Sequence, residues 1–286
     1  MMLWKKRVCN LYNLMGIILL PVLTFAIFIL IADFFSVMHG EIIKGRPVIG
    51  NGSYLIHLRE AIPFVQAMDW FVADIRNFLP LLSGLIVIPF IQIRDRFLPF
   101  AQPRLRNGVR IEYTMIAQTV VLSGGVVLAG YLLTMLWTRC MFVDTYQDAC
   151  VYDSFVQQWE WNVSAEYDPY LFVLLYGLLR CFLMPMVFSL LTIGVSYLTN
   201  KIYLYLLIPT IYNFAACSAF AQGNAADQDK WPLPLFSPEN FIALKSPEYW
   251  QFGHNVHGIW GVVCASLLII VPSLVMIWWG MRRRRE

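Results

Sequence analysis

Asp33, Arg180, His254 and His257 are the side chains with which this 286-residue chain could run acid–base or metal chemistry. The two imidazoles stand three residues apart, a spacing that shares one face of a helix. A zinc-type site needs further ligands, and no compelling third one stands nearby, so no metal is assigned. A polar approach to the last apolar run accounts for the pair. Asp33 lies near the end of one apolar run, whereas Arg180 sits ten residues into another, so their depths do not converge on one site. An intramembrane enzyme built on these four groups is therefore only a lesser alternative, and no catalytic residue is assigned. The chain has no Gly-x-x-x-x-Gly-Lys-Ser/Thr loop, no His-Glu-x-x-His helix and no Gly-x-Ser-x-Gly elbow. It is read as neither an enzyme nor a self-sufficient ATP-driven machine, and no cofactor is expected within it.

The elements that must position these groups follow from composition. Hydrophobic residues make up 59% of the chain and charged residues 14%, with a mean hydropathy of +0.61. A soluble domain could not cover that much apolar surface. A hydrocarbon core of about 30 Å needs about 20 helical residues, so long apolar runs count as spans. Six are expected, at roughly 14–35, 77–93 (interrupted by Pro80 and Pro89), 113–137, 170–197, 203–222 and 258–280. The basic N-terminal segment 1–13 lacks a small-residue cleavage motif after a short apolar core, so the first span reads as retained. The expected fold is all-α: one polytopic transmembrane domain over 1–286, located in the cell membrane, with both termini cytoplasmic.

Charge sorting tests that topology independently. The stretches placed outside, 36–76, 138–169 and 223–257, hold fourteen of the eighteen acids and seven of the twenty-one bases. The inside segments hold thirteen bases and three acids, Asp95, Glu112 and Glu286. Retention of positive charge on the cytosolic side produces this asymmetry. The net charge of +3 thus reflects flanks beside anionic lipid headgroups and implies no nucleic-acid partner.

The outer stretches carry their own patterns. Val65, Met68, Val72 and Ile75 recur at helical spacing among polar residues, with Trp70 and Phe71 as anchors, and read as an interfacial amphipathic helix. Pro232, Pro234, Pro238 and Pro247 among Trp231, Phe236, Tyr249 and Trp250 fit short interfacial or re-entrant helices, or equally a surface loop. Cys140 and Cys150 share one outer loop, where oxidising conditions allow a disulfide. Cys181, Cys217 and Cys264 read as small buried residues within spans.

Within the spans, Arg180 lies about 15 Å deep at the helical rise and should face the protein interior. Asp33 is read as a wet interfacial carboxylate, and Asn213 as an interhelical hydrogen-bonding group or a substrate contact. Gly124, Gly125 and Gly130 are read as close helix packing. The inside stretch 94–112 is different in kind. Arg94, Asp95, Arg96, Arg104 and Arg106 surround Phe97, Leu98 and Phe100. Apolar knobs ringed by bases suit docking into a groove on a cytosolic partner, although Phe side chains packed among lipid headgroups would give the same pattern.

With its basic N-terminal segment, six spans, long charged loop after the second span, tight turn at Lys201 and elaborate outer segment before the last span, the chain resembles the permease subunit of an ABC exporter of the type-2 permease family. That resemblance covers nearly the full length and is architectural. It implies a separate cytosolic ATPase, carrying ATP and magnesium, docked on a coupling helix around Arg94 to Arg106, and a second permease, identical or related. It further implies that the first, second and fifth spans line the route, and that the cargo is a peptide or an amphipathic, lipid-like molecule. The acidic outer loops keep open a different class, a sensor or accessory (immunity) subunit that binds a cationic peptide.

Overall fold

The computed structural model describes residues 78–96, 108–141, 177–199, 201–226 and 258–284, with the single positions 17, 18, 22, 68 and 174. Among the described residues the protein is all-helical. Helix α1 spans Leu79–Arg96, α2 Gly108–Met141, α3 Met184–Leu198, α4 Ile202–Ala226 and α5 Gly258–Arg283. A π-helical segment, Leu178–Leu183, leads directly into α3. These helices overlie the second to sixth expected spans. The first span, the segment 1–13, the amphipathic helix at 65–75 and the proline-rich stretch with its histidines lie outside the described residues, apart from isolated positions.

Three helical stretches are long and apolar enough to cross a membrane: Val109–Cys140, Cys181–Leu198 and Val263–Arg283. The protein is thus, on its helices, a multi-pass membrane protein. A shorter apolar stretch, Ile202–Ala216, belongs to α4.

Helix α3 forms the centre and packs against α1, α2, α4 and α5. Its sequence explains the position. Ser189, Thr192, Gly194 and Ser196 are all buried, and small side chains allow neighbouring backbones to approach closely where lipid removes any hydrophobic drive between helices. Val87, Phe90, Val127, Tyr131, Phe188, Ile193 and Ile277 fill the core between these helices. Buried hydroxyls add little polarity there, because Ser83, Thr119, Thr134, Thr192 and Ser273 donate to carbonyls four residues back in their own helices.

Three of the helical runs differ in form or extent from the sequence expectation. Helix α1 runs unbroken through Pro89, and α2 extends beyond 113–137 at both ends, to a length of about 50 Å. Charged residues at its ends, Arg110, Glu112 and Arg139, are compatible with helix once they pass out of the apolar layer. The connection between α1 and α2 therefore shortens from 94–112 to 97–107. The run 170–197 is also not one uniform helix. Pro185 has no N–H for the carbonyl of Cys181 and its ring crowds that position, and the turn just before it widens to π geometry.

The outward faces remain apolar. Val271, Leu274, Val275, Trp278 and Trp279 on α5, Ile211 and Phe214 on α4, and Leu136 and Trp137 on α2 are all exposed. Outward faces this apolar belong against lipid or another protein rather than water.

Candidate functional site

One end of the bundle gathers most of the described charge. There the C-terminal ends of α1, α3 and α5 meet the first turns of α2 and α4, so Arg94, Arg96, Arg110, Lys201 and Arg282 to Arg284 come to the same end. Sorting by charge anticipates this meeting.

At its centre lies Arg94, only 1% exposed. Helical phase puts it there: Val87, Phe90 and Ile91 stand seven, four and three residues earlier on the same buried face. Its Nε donates to Asp95 Oδ1 at 2.8 Å and its Nη2 to Asp95 Oδ2 at 3.2 Å, a bidentate pair. Its Nη1 donates to Ser196 Oγ at 2.7 Å, and Nη2 also to the Ser196 carbonyl oxygen at 2.9 Å. That carbonyl belongs to the last turn of α3, where no intrahelical donor remains, and the cation also complements the negative end of the helix dipole. The neighbouring Val195 carbonyl is satisfied by the Thr199 N–H at 3.1 Å.

Tyr197 joins the remaining elements. The Arg94 guanidinium carbon lies 4.4 Å from its ring centre and that of Arg284 lies 5.2 Å away. The Tyr197 hydroxyl donates to Glu112 Oε1 of α2, and both residues are buried. The ring reaches this position because α5 offers Gly280 there. A Cβ at Gly280 would stand 2.4 Å from Tyr197 Cβ, far inside contact distance.

Arg284 closes the cluster from the C terminus, its Nη2 donating to Asp95 Oδ1 at 3.1 Å. This outer pair, 36% and 37% exposed, contributes within about 1 kcal/mol because solvent screens it. Desolvation disfavours ionisation of Asp95, but hydrogen bonds and charge from Arg94 and Arg284 outweigh it and hold the carboxyl below its ordinary value.

The arrangement is a satisfied structural lock joining α1, α2, α3 and α5. It offers no unsatisfied nucleophile or acid–base pair for turnover, and no group of three potential metal ligands occurs among the described residues. Of the residues expected at a docking surface, Arg94 is instead interior, for the reason of helical phase given above. Asp95 is exposed at the rim of the lock yet held in it by Arg94 and Arg284, and Arg96 is exposed outside it. Phe97, Leu98, Phe100, Arg104 and Arg106 lie outside the described residues. So does Asp33, while the Arg180 backbone falls in the π-helical segment and its side chain lies outside the described part. Asn213 is fully buried in α4, away from lipid.

The expected Cys140–Cys150 disulfide is not formed: Cys140 is a free, exposed thiol. It belongs to the last turns of α2 rather than to a loop, since the helix continues to Met141. Cys150 lies outside the described residues.

Sequence reasoning missed Glu112, Ser196, Tyr197 and Arg284 as partners. A signal existed for Glu112 and Asp95: they are two of only three acids among thirteen inside bases. An acid kept in such surroundings is a candidate for a specific pairing. Comparison with known proteins finds no matching family model, no similar curated protein and no similar solved structure.

Proposed function

We propose that this chain is the membrane-spanning permease subunit of an ATP-driven ABC exporter, built on six spans with both termini cytoplasmic. What supports the reading most is the rooting of segment 97–107. It leaves α1 one residue after the Arg94–Asp95 pair, which is tied to Ser196 of α3 and to Arg284 just beyond the end of α5. It returns into α2 three residues before Arg110 and four before Ile111, at the turn carrying Glu112, which is tied to Tyr197. A push on this segment by a docked partner is therefore delivered to four helices together.

A cytosolic ATPase bearing ATP and magnesium supplies that push in the proposal, with Phe97, Leu98 and Phe100 as its apolar contacts and Arg96, Arg104 and Arg106 as the surrounding charges. Closure of two ATPase subunits biases a pair of permeases between inward-facing and outward-facing states. The cargo, a peptide or an amphipathic lipid-like molecule, moves along the interface without covalent chemistry in this chain. Affinity purification of the tagged chain expressed with its genetic neighbours tests the reading. Co-purification of a Walker-motif ATPase is expected; its reproducible absence from a folded preparation overturns the proposal.

A further inference from the structure

The basic end carries two exposed pairs that the lock does not use. Lys201 Nζ lies 5.9 Å from the ring centre of Tyr203 at the start of α4, and the Arg282 guanidinium lies 5.9 Å from the ring centre of Trp278 at the end of α5. Each pair heads an apolar stripe on its own helix. On α4 the exposed residues Tyr203, Leu207, Ile211 and Phe214 follow one face, and on α5 Trp278, Val275, Val271 and Leu267 do the same. Both stripes run eleven residues, about 16 Å, which is half of a hydrocarbon core of about 30 Å. Two helices on different sides of α3 thus repeat one order: cation, aromatic ring, then aliphatic surface to mid-membrane depth.

The interior agrees with this level. Gly280, against Tyr197, follows Trp279 directly, so the buried Arg94 lock lies at the depth of the aromatic rings and below the two outer cations. A polar layer at that depth is where a buried guanidinium is least costly. Arg283 and Arg96 are exposed at the same end, and Asp95, the exposed acid there among the described residues, is held by Arg94 and Arg284. The resulting rim is strongly positive.

We propose that this end binds anionic phospholipid headgroups, with Lys201 and Arg282 contacting lipid phosphates and Tyr203 and Trp278 seated among the glycerol backbones. Interfacial aromatics fit that depth, and juxtamembrane cations favour anionic over zwitterionic lipid. The inference is independent of the transport reading. It commits to a lipid surface and not to a soluble phosphate, because the apolar stripes continue directly from the cations.

The test uses the full chain in detergent, titrated with phosphatidylglycerol, phosphatidylcholine or inorganic phosphate while the unfolding temperature is followed. Phosphatidylglycerol is expected to stabilise well beyond phosphatidylcholine, and inorganic phosphate not at all. The double variant Lys201→Gln with Arg282→Gln should weaken the apparent phosphatidylglycerol affinity by about 25-fold, roughly fivefold per cation. Its unfolding temperature in phosphatidylcholine should match the unsubstituted protein, which reports that it folds. Arg139→Gln, at the opposite end of α2, should leave the preference intact. Equal stabilisation by both lipids, reproduction of the effect by inorganic phosphate, or a loss with Arg139→Gln as large as with the double variant overturns the proposal.

Discussion

Removing Asp95 should damage the protein more than removing Arg94, although Asp95 is much the more exposed of the two. The reason lies in what each substitution leaves behind. In Asp95→Ala the Arg94 guanidinium stays buried, 1% exposed, and loses both carboxylate oxygens while keeping only Ser196 and the Tyr197 ring. Breaking a buried pair in this way costs about 3–5 kcal/mol. In Arg94→Met the apolar replacement fills the space, and the surviving carboxylate is 37% exposed and can be hydrated. The remaining cost is the orphaned Ser196 carbonyl, about 1–3 kcal/mol. The double variant should then resemble Arg94→Met alone, which in a double-mutant cycle is a coupling equal to the whole cost of Asp95→Ala, about 3–5 kcal/mol. Thermal unfolding of the purified protein in one fixed detergent reads the ranking. Asp95→Ala should fall by on the order of 10 °C and Arg94→Met by a few degrees. Arg284→Ala, which removes only the screened outer pair, should change little. If Asp95→Ala unfolds no earlier than Arg284→Ala, the buried-lock reasoning is wrong.

Adjacent glycines in α2 should respond oppositely: a Cβ at Gly124 meets the Phe182 carbonyl oxygen at 2.7 Å, whereas one at Gly125 meets nothing within 4 Å. Gly124→Ala should force α2 from the π-helical segment and lower the unfolding temperature, while Gly125→Ala should raise stability by about 0.5–1 kcal/mol through helix propensity. Acid should loosen the lock in one direction only. Asp95 titrates below its ordinary value in the folded protein, so its contribution is complete at neutral pH. It is lost as pH falls below about 4 and through the lower folded value. Unfolding temperature followed from pH 7 to pH 3 should show an acid-dependent loss that is smaller in Asp95→Asn; an identical acid dependence in both proteins would contradict the assignment.

Much of the helical layout is legible in the sequence because apolar runs and flanking bases report it directly. Five described helices overlie expected spans, and the basic groups of α1, α2, α4 and α5 meet at one end. Charge counting fails at finer grain. Arg94 and Arg96 are the same residue type two positions apart, yet one is buried and the other exposed. Their difference is helical phase together with a partner, Ser196, that is 102 residues away. Nothing local to Arg94 announces the α3 carboxyl end that it caps. The Cys140 expectation fails for a related reason, since α2 outlasts its apolar run and carries the thiol into its final turns. Pro185 is visible in the sequence, but the widened turn before it depends on backbone geometry that periodicity does not encode.

The central claim is that segment 97–107 passes force from an ATPase into the lock. It is tested most directly by quantifying ATPase subunit retained on the tagged chain, unsubstituted and with Phe97→Asp and Leu98→Asp together. Retention by the unsubstituted chain and its loss in the variant, at an unchanged unfolding temperature, is the predicted result. Equal retention by both chains would contradict it.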